Sequence, residues 1–192
     1  MSDIFEPIAA TNFSFLRGAS NAREMVEQAH KLGLSGIGIA DKNTLAGVVR
    51  AHTAARDLGM RLIVGARLVE TNGFTIVIYP KNRTAWGNLC RILTIGNRRS
   101  KKGTCTLYED DVLAAMEMAC AIIIPPDILD ENWFELAKNR IQNAPPNCTI
   151  FIAITRPYDG TDFERNSRLN EFALAIKATL IATNDAIMHE AN

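Results

Sequence analysis

The sequence predicts an α/β fold, a parallel α/β barrel or a doubly wound sheet. Three observations carry that expectation. Apolar runs of strand length alternate with segments of helical periodicity along the whole chain. Some of these runs, such as "AIII" at 121–124, are apolar throughout, as in strands covered on both faces. The chain is 192 residues long and 47% hydrophobic, which suits a single domain with its own core.

The elements follow in order. Residues 4–9 predict a first strand. Ser20 or Asn21 is placed to cap a helix whose apolar face is Ala22, Met25, Val26, Ala29 and Leu32, and Gly33 supplies its stop. A strand is expected at 36–40. The next helix is expected from Thr44, with the stripe Leu45, Val48, Val49, His52 and Ala55, ending at Gly59. "RLIVGARLV" (61–69) and "FTIVIYP" (74–80) predict two strands joined by a Thr-Asn-Gly turn at 71–73. A helix through Trp86, Leu89, Cys90 and Leu93 follows. The second half predicts a helix at 108–118, a strand at 120–125 and a helix at 128–143. It then predicts a strand at 149–154, a helix at 162–178 and a last strand at 179–183.

Composition excludes several classes. Lys+Arg and Asp+Glu each total 21, so the net charge is zero and bulk charge marks neither a nucleic-acid nor a membrane binder. No apolar stretch approaches the roughly 20 residues that cross a bilayer, and "MSDIFEPIAA" lacks the make-up of a signal peptide. Cys90, Cys105, Cys120 and Cys148 form no Cys-x-x-Cys pair, which predicts reduced thiols in a cytoplasmic protein. Glycine-rich phosphate loops, nucleophile elbows and His-Glu-x-x-His are all missing. The three histidines are His30, His52 and His189. His52 is expected to be half-buried on its stripe, and His189 to lie free near the C-terminus.

"IGIADKNTLAGVVRAH" (37–52) has the form of an active-site rim: an apolar strand ends at Ala40 and Asp41 follows at the passage to a helix. The next residue, however, is Lys42. A wider set of segments resembles the N-terminal PHP (polymerase and histidinol phosphatase) domain of bacterial error-prone DNA polymerases of the C family. These segments are "TNFSFLRGAS" (11–20), "GIADKNTLAGVVRAH" (38–52), "RLIVGARL" (61–68), "YPKNRTAWGNLCRILTIGNRRSKKG" (79–103) and "IATNDAIMH" (181–189). The resemblance implies a distorted (β/α)7 barrel of PHP type. It also implies that residues 1–192 are a single PHP domain, the N-terminal fragment of a much longer polymerase.

Active PHP domains mount a cluster of His and carboxylate ligands that holds metals for phosphoester hydrolysis. Carrying those motifs over, the opening His-x-His falls on Ile8 and Ala10, and the Asp that follows falls on Arg17. The His of the second motif falls on Lys42, the Glu of the third strand on Arg67, and the last His on Ile187. Asp41 and Asp185 alone match. No catalytic residue and no metal site are therefore expected, and the domain by itself should need no cofactor. Lys or Arg beside a former metal position repels a cation and donates to the carboxylates left behind. Arg67 is accordingly expected to pair with Asp185 or Asp41. As plain structural residues, Asp41 would cap the helix after it and Asp185 would turn the chain.

The resemblance implies a structural and interaction module of a translesion, damage-induced polymerase acting in DNA repair and replication. The alternative is a metal-dependent phosphoesterase or 3'-5' proofreading exonuclease. Nucleotidyl transfer, with Mg as cofactor, would belong to the parent. Expected partners are the remainder of the chain, DNA through the parent, and a sliding clamp or mutasome accessory proteins, with no membrane. Arg98, Arg99, Lys101 and Lys102 in "NRRSKKG" are candidate phosphate contacts, set against a plainly solvated loop.

Overall fold

A computed structural model of the protein describes residues 4–190. Readings that fall on the first three residues or on Ala191 and Asn192 lie outside it. The described elements are β1 (Phe5–Ala9), α1 (Ala22–Lys31), β2 (Gly36–Lys42), α2 (Val48–Leu58), β3 (Arg61–Val69), β4 (Thr75–Pro80), α3 (Arg83–Arg98), α4 (Glu109–Ala115), β5 (Ala119–Ile124), α5 (Glu131–Gln142), β6 (Thr149–Ile154), α6 (Asp162–Ala175) and β7 (Thr179–Ala182). The strands are hydrogen-bonded in sequence order, β1 to β7.

The ladder is not parallel throughout, which corrects the expectation. β1–β2, β2–β3, β5–β6 and β6–β7 are parallel, whereas β4 runs antiparallel to β5. A parallel neighbour requires a crossover of a dozen or more residues. The turn before β4 is too short for one: Gly73, at φ 87°, donates to the Glu70 carbonyl at 3.0 Å and reverses the chain there.

The chain divides into two compact units. One takes the chain up to Arg67 together with the stretch from Thr183 onward, and the other is Leu68–Ala182.

In the first unit, α1 and α2 cover β1 and β2 through Met25, Val26, Ala29, Ala51, Ala54, Ala55, Ile37 and Ile39. Asn21, rather than Ser20, caps α1. Its side chain accepts from the Glu24 N–H, and the Glu24 carboxylate accepts from the Asn21 N–H. α2 begins at Val48, four residues later than the periodicity predicts. Asn43 stands at a left-handed φ of 53° and its N–H donates to the Arg67 carbonyl at 2.8 Å, so the chain is held out of helix after β2. The buried stripe of α2 is Ala51, Ala54 and Ala55, while Val49 and His52 are exposed. Small residues allow the close approach of the two helices, and an eye set for larger apolar side chains reads the wrong face.

In the second unit, α5 and α6 meet through Trp133, Phe134 and Phe172, with ring centroids 4.8–5.9 Å apart. Elsewhere in this unit Arg140, 1% exposed, donates from Nε and Nη2 to the two oxygens of Glu70 at 2.9 and 2.6 Å. It also pairs with Glu109 and lies 5.3 Å from the Phe74 ring centroid.

Candidate functional site

The two acids singled out by sequence both lie in the first unit, and each carboxylate is engaged by fixed donors. Asp41, near the end of β2, is 2% exposed. Thr11 N–H donates to its Oδ1 at 2.7 Å, Thr11 Oγ1 donates to Oδ2 at 2.8 Å, and Ser14 Oγ donates to Oδ1 at 2.7 Å. Ser14 Oγ in turn accepts from the Lys42 N–H at 3.0 Å. Gly47 permits this arrangement, because a Cβ there would lie 2.6 Å from Asp41 Oδ2 and 2.9 Å from Thr11 Oγ1. Asp41 therefore fastens the loop after β1 to the end of β2. The expectation that it caps the following helix is corrected: α2 starts at Val48 with no side-chain cap.

Asp185 stands at a left-handed φ of 48°, a conformation that Asp tolerates better than most residues. Its N–H donates to Thr183 Oγ1 at 3.0 Å. Arg17 Nη2 donates to Oδ2 at 2.5 Å, and Arg67 Nη2 donates to Oδ1. The side chains of Arg67 and Asp185 are 5% and 15% exposed. One carboxylate thus lies between two guanidinium groups, and these occupy two of the positions at which the resemblance places metal ligands. Of the two partners expected for Arg67, the structure shows Asp185, while Asp41 is held by the hydroxyls of Thr11 and Ser14.

The other four positions contribute no metal-binding atom. Ile8 and Ala10 are fully buried and act through their backbones: Ala10 N–H donates to the Ala186 carbonyl at 2.8 Å, and Ala186 N–H donates to that of Ile8 at 3.0 Å. The Ile187 carbonyl accepts from the Ala19 N–H at 2.8 Å. Lys42 is exposed. Among the described residues, no group of three or more His, Cys, Asp and Glu is arranged to hold a metal ion.

Glu6 is a site residue that sequence reasoning missed. It is buried, its Oε1 accepts from the Ile8 N–H at 3.1 Å and from Thr183 Oγ1, and its Oε2 accepts from Asn184 N–H at 3.1 Å and Nδ2 at 2.7 Å. The available signal was one carboxylate inside the apolar run "IFEPIAA". His189 is likewise not free: its Nδ1 lies 2.6 Å from Ser20 Oγ, and its N–H donates to that oxygen at 2.9 Å.

The basic run is only partly a loop. Arg98 closes α3, and Arg99 pairs with Asp111 while lying 5.3 Å from the Tyr108 ring centroid. Lys101 and Lys102 are exposed. Burial pushes the thiols of Cys105, Cys120 and Cys148 upward, Cys148 to about 11. No helix among the described residues is long and apolar enough to cross a membrane.

The PHP domain family profile matches residues 9–139. The error-prone DNA polymerase of Brucella abortus is 46% identical over 195 residues, covering 98% of this chain and 18% of that protein. Error-prone DNA polymerase 1 of Rhizobium meliloti is 45% identical, covering 95% of this chain and 16% of its own length. The chain thus spans less than a fifth of these relatives. Among solved structures, a Bifidobacterium adolescentis protein assigned to the metal-dependent phosphoesterases superposes with a TM-score of 0.71 at 15% identity, covering 99% of this chain and 89% of that one. An amidohydrolase from Chromobacterium violaceum superposes with a TM-score of 0.64 at 12% identity, covering 97% and 88%. These likenesses establish the expected α/β fold class and say nothing of substrate.

Proposed function

Because the chain belongs to the PHP domain family, we propose that it is a single PHP domain at the N-terminus of an error-prone DNA polymerase, serving a structural and interaction role. In this reading the ancestral metal centre has become an ion-pair network. The observation that carries it is the Asp185 carboxylate, both oxygens of which accept from guanidinium groups, Arg17 and Arg67. A divalent cation needs several oxygen or imidazole ligands with free lone pairs. Here the matching positions offer two arginines, one lysine and three residues whose side chains are aliphatic, and Asp41 already accepts three hydrogen bonds from Thr11 and Ser14. These residues do not fit a hydrolytic metal cluster.

In the same reading the parent enzyme performs translesion synthesis on DNA in the cytoplasm, uses Mg for nucleotidyl transfer, and meets a sliding clamp or mutasome accessory proteins. Arg98, Lys101 and Lys102 remain phosphate candidates on the parent's DNA path, whereas Arg99 has its charge engaged by Asp111. The second reading, a metal-dependent phosphoesterase or proofreading exonuclease, is favoured only by the fold likeness to the Bifidobacterium protein. One experiment separates them. Protein purified without chelator is assayed for bound Zn and Mn and for nucleotide release from DNA with added Mn²⁺, Zn²⁺ or Mg²⁺. The proposal expects substoichiometric metal and no turnover. Stoichiometric metal, or a release activity abolished by Asp185→Ala, would overturn it.

A further inference from the structure

We propose that the loop Thr11–Gly18 is a docking knob whose apex, Phe15 and Leu16, seats in an apolar groove on the remainder of the polymerase chain. The inference rests on the polymerase reading above. On this view the remnant site serves to hold the knob in place.

Phe15 is 82% exposed and Leu16 is 92% exposed. Single exposed apolar residues are ordinary. Here two large ones are adjacent, and the backbone is bent to present them. Leu16 stands at φ 60°, a left-handed conformation that is costly for a bulky residue. That cost is sustained because the loop is fastened on both sides of its apex. Before it, Thr11 and Ser14 are tied to buried Asp41; after it, Arg17 is tied to Asp185. The loop is also closed on itself, with Ser14 N–H donating to the Thr11 carbonyl at 2.8 Å and Arg17 and Gly18 N–H donating to the Ser14 carbonyl, each at 2.9 Å. Gly18 lets the loop pack on its own base, since a Cβ there would lie 2.0 Å from the Thr11 carbonyl oxygen.

A merely solvated connection has no need of three charged or hydroxyl anchors around an apolar tip. Pre-organised apolar anchors of this kind reduce the ordering cost of association and suit a groove that takes one or two side chains. The occupant follows from size. This chain spans 18% of the Brucella abortus polymerase and 16% of the Rhizobium meliloti one, so the surface most available to a fixed knob is the rest of the same polypeptide.

The test uses the full-length polymerase carrying Leu16→Cys. The rate at which a maleimide labels residue 16 is read by peptide mass spectrometry, in the native protein and in guanidinium. Docking predicts a native rate at least about 20-fold below the unfolded rate, independent of protein concentration, as expected of a protected site. Adding Phe15→Ser should return labelling to within about two-fold of the unfolded rate. Hydroxyl-radical oxidation of Phe15 and Leu16 in the unsubstituted full chain reads the same burial and does not depend on the variants folding. Native labelling as fast as unfolded, in a chain that still synthesises DNA, would overturn the docking proposal and leave the polymerase reading intact. Slowing that grows with protein concentration would also overturn it, assigning the knob to a second copy. A full-length chain without polymerase activity would instead defeat the reading on which the proposal rests.

Discussion

Arg67→Ala removes one of the two guanidinium groups holding Asp185. The Arg67 side chain is 5% exposed, so its ion pair is not a surface contact, for which a contribution near zero would be the norm. Losing a charge-assisted hydrogen bond costs about 1.5–3 kcal/mol. Orphaning a buried charge completely costs about 3–5 kcal/mol. Arg17 still faces the carboxylate in this variant, so the loss stays below that upper range, at about 2–3 kcal/mol. For a chain of this length each kcal/mol corresponds to about 2–4 °C, and the expected fall in Tm is about 4–12 °C. Circular dichroism melts at fixed protein concentration provide the assay. Asp185→Asn supplies the second edge of a double-mutant cycle, and the double variant should be less destabilised than the sum of the singles. A fall of less than about 1 °C in Arg67→Ala would show that the pair contributes nothing and refute the reasoning.

On the proposed reading, the wild-type melt should be unchanged by excess EDTA; a drop on chelation would expose a resident metal. Asp41→Asn turns one acceptor into a donor facing Thr11 and Ser14 and should cost about 2–3 kcal/mol in chemical denaturation. In the second unit, Arg140→Met leaves Glu70 buried without its partner and should destabilise by about 3–5 kcal/mol, whereas Glu70→Gln added to it should recover much of that loss. The Cys148 thiol is raised by burial from 9.0 to about 11, so the folded state holds its proton more tightly than the unfolded state. Its contribution to stability is whole below pH 9 and is lost as pH climbs toward 11, and its alkylation in the native protein should stay slow until that range.

The fold was legible where periodicity is strong and local. Strand runs such as "RLIVGARLV" and the face of α1 are set by side-chain spacing that a single sequence displays. What escaped depends on contacts distant in the chain. The start of α2 is delayed because Asn43 bonds to Arg67 and Gly47 leaves room for Asp41, and neither constraint shows in residues 43–48 alone. The reversal between β3 and β4 was legible in the Thr-Asn-Gly turn at 71–73, although the sheet as a whole read as parallel. At the site, the pairing of Arg67 with an acid was legible, because the resemblance set Arg67 beside Asp41 and Asp185. The choice of Asp185 over Asp41 was not, because it turns on Thr11 and Ser14 claiming Asp41 first. Glu6 escaped because one acid in an apolar strand reads equally as an exposed edge residue.

The first unit is stitched from two stretches separated by the 115 residues Leu68–Ala182. During synthesis, then, β1 must wait for its last partner. At a ribosomal rate of about 5–20 residues per second, that delay is roughly 6–23 s. Throughout it, Glu6 lacks Thr183 and Asn184, and Arg17 and Arg67 lack Asp185, so two charges destined for burial, Glu6 and Arg67, stay wet and the edge of β1 lacks its bonds to Ala186. Until Thr183–Ala186 have emerged, that edge of β1 faces water in place of the Ala186 backbone. The first unit is thus completed only by a stretch that emerges after the whole of the second.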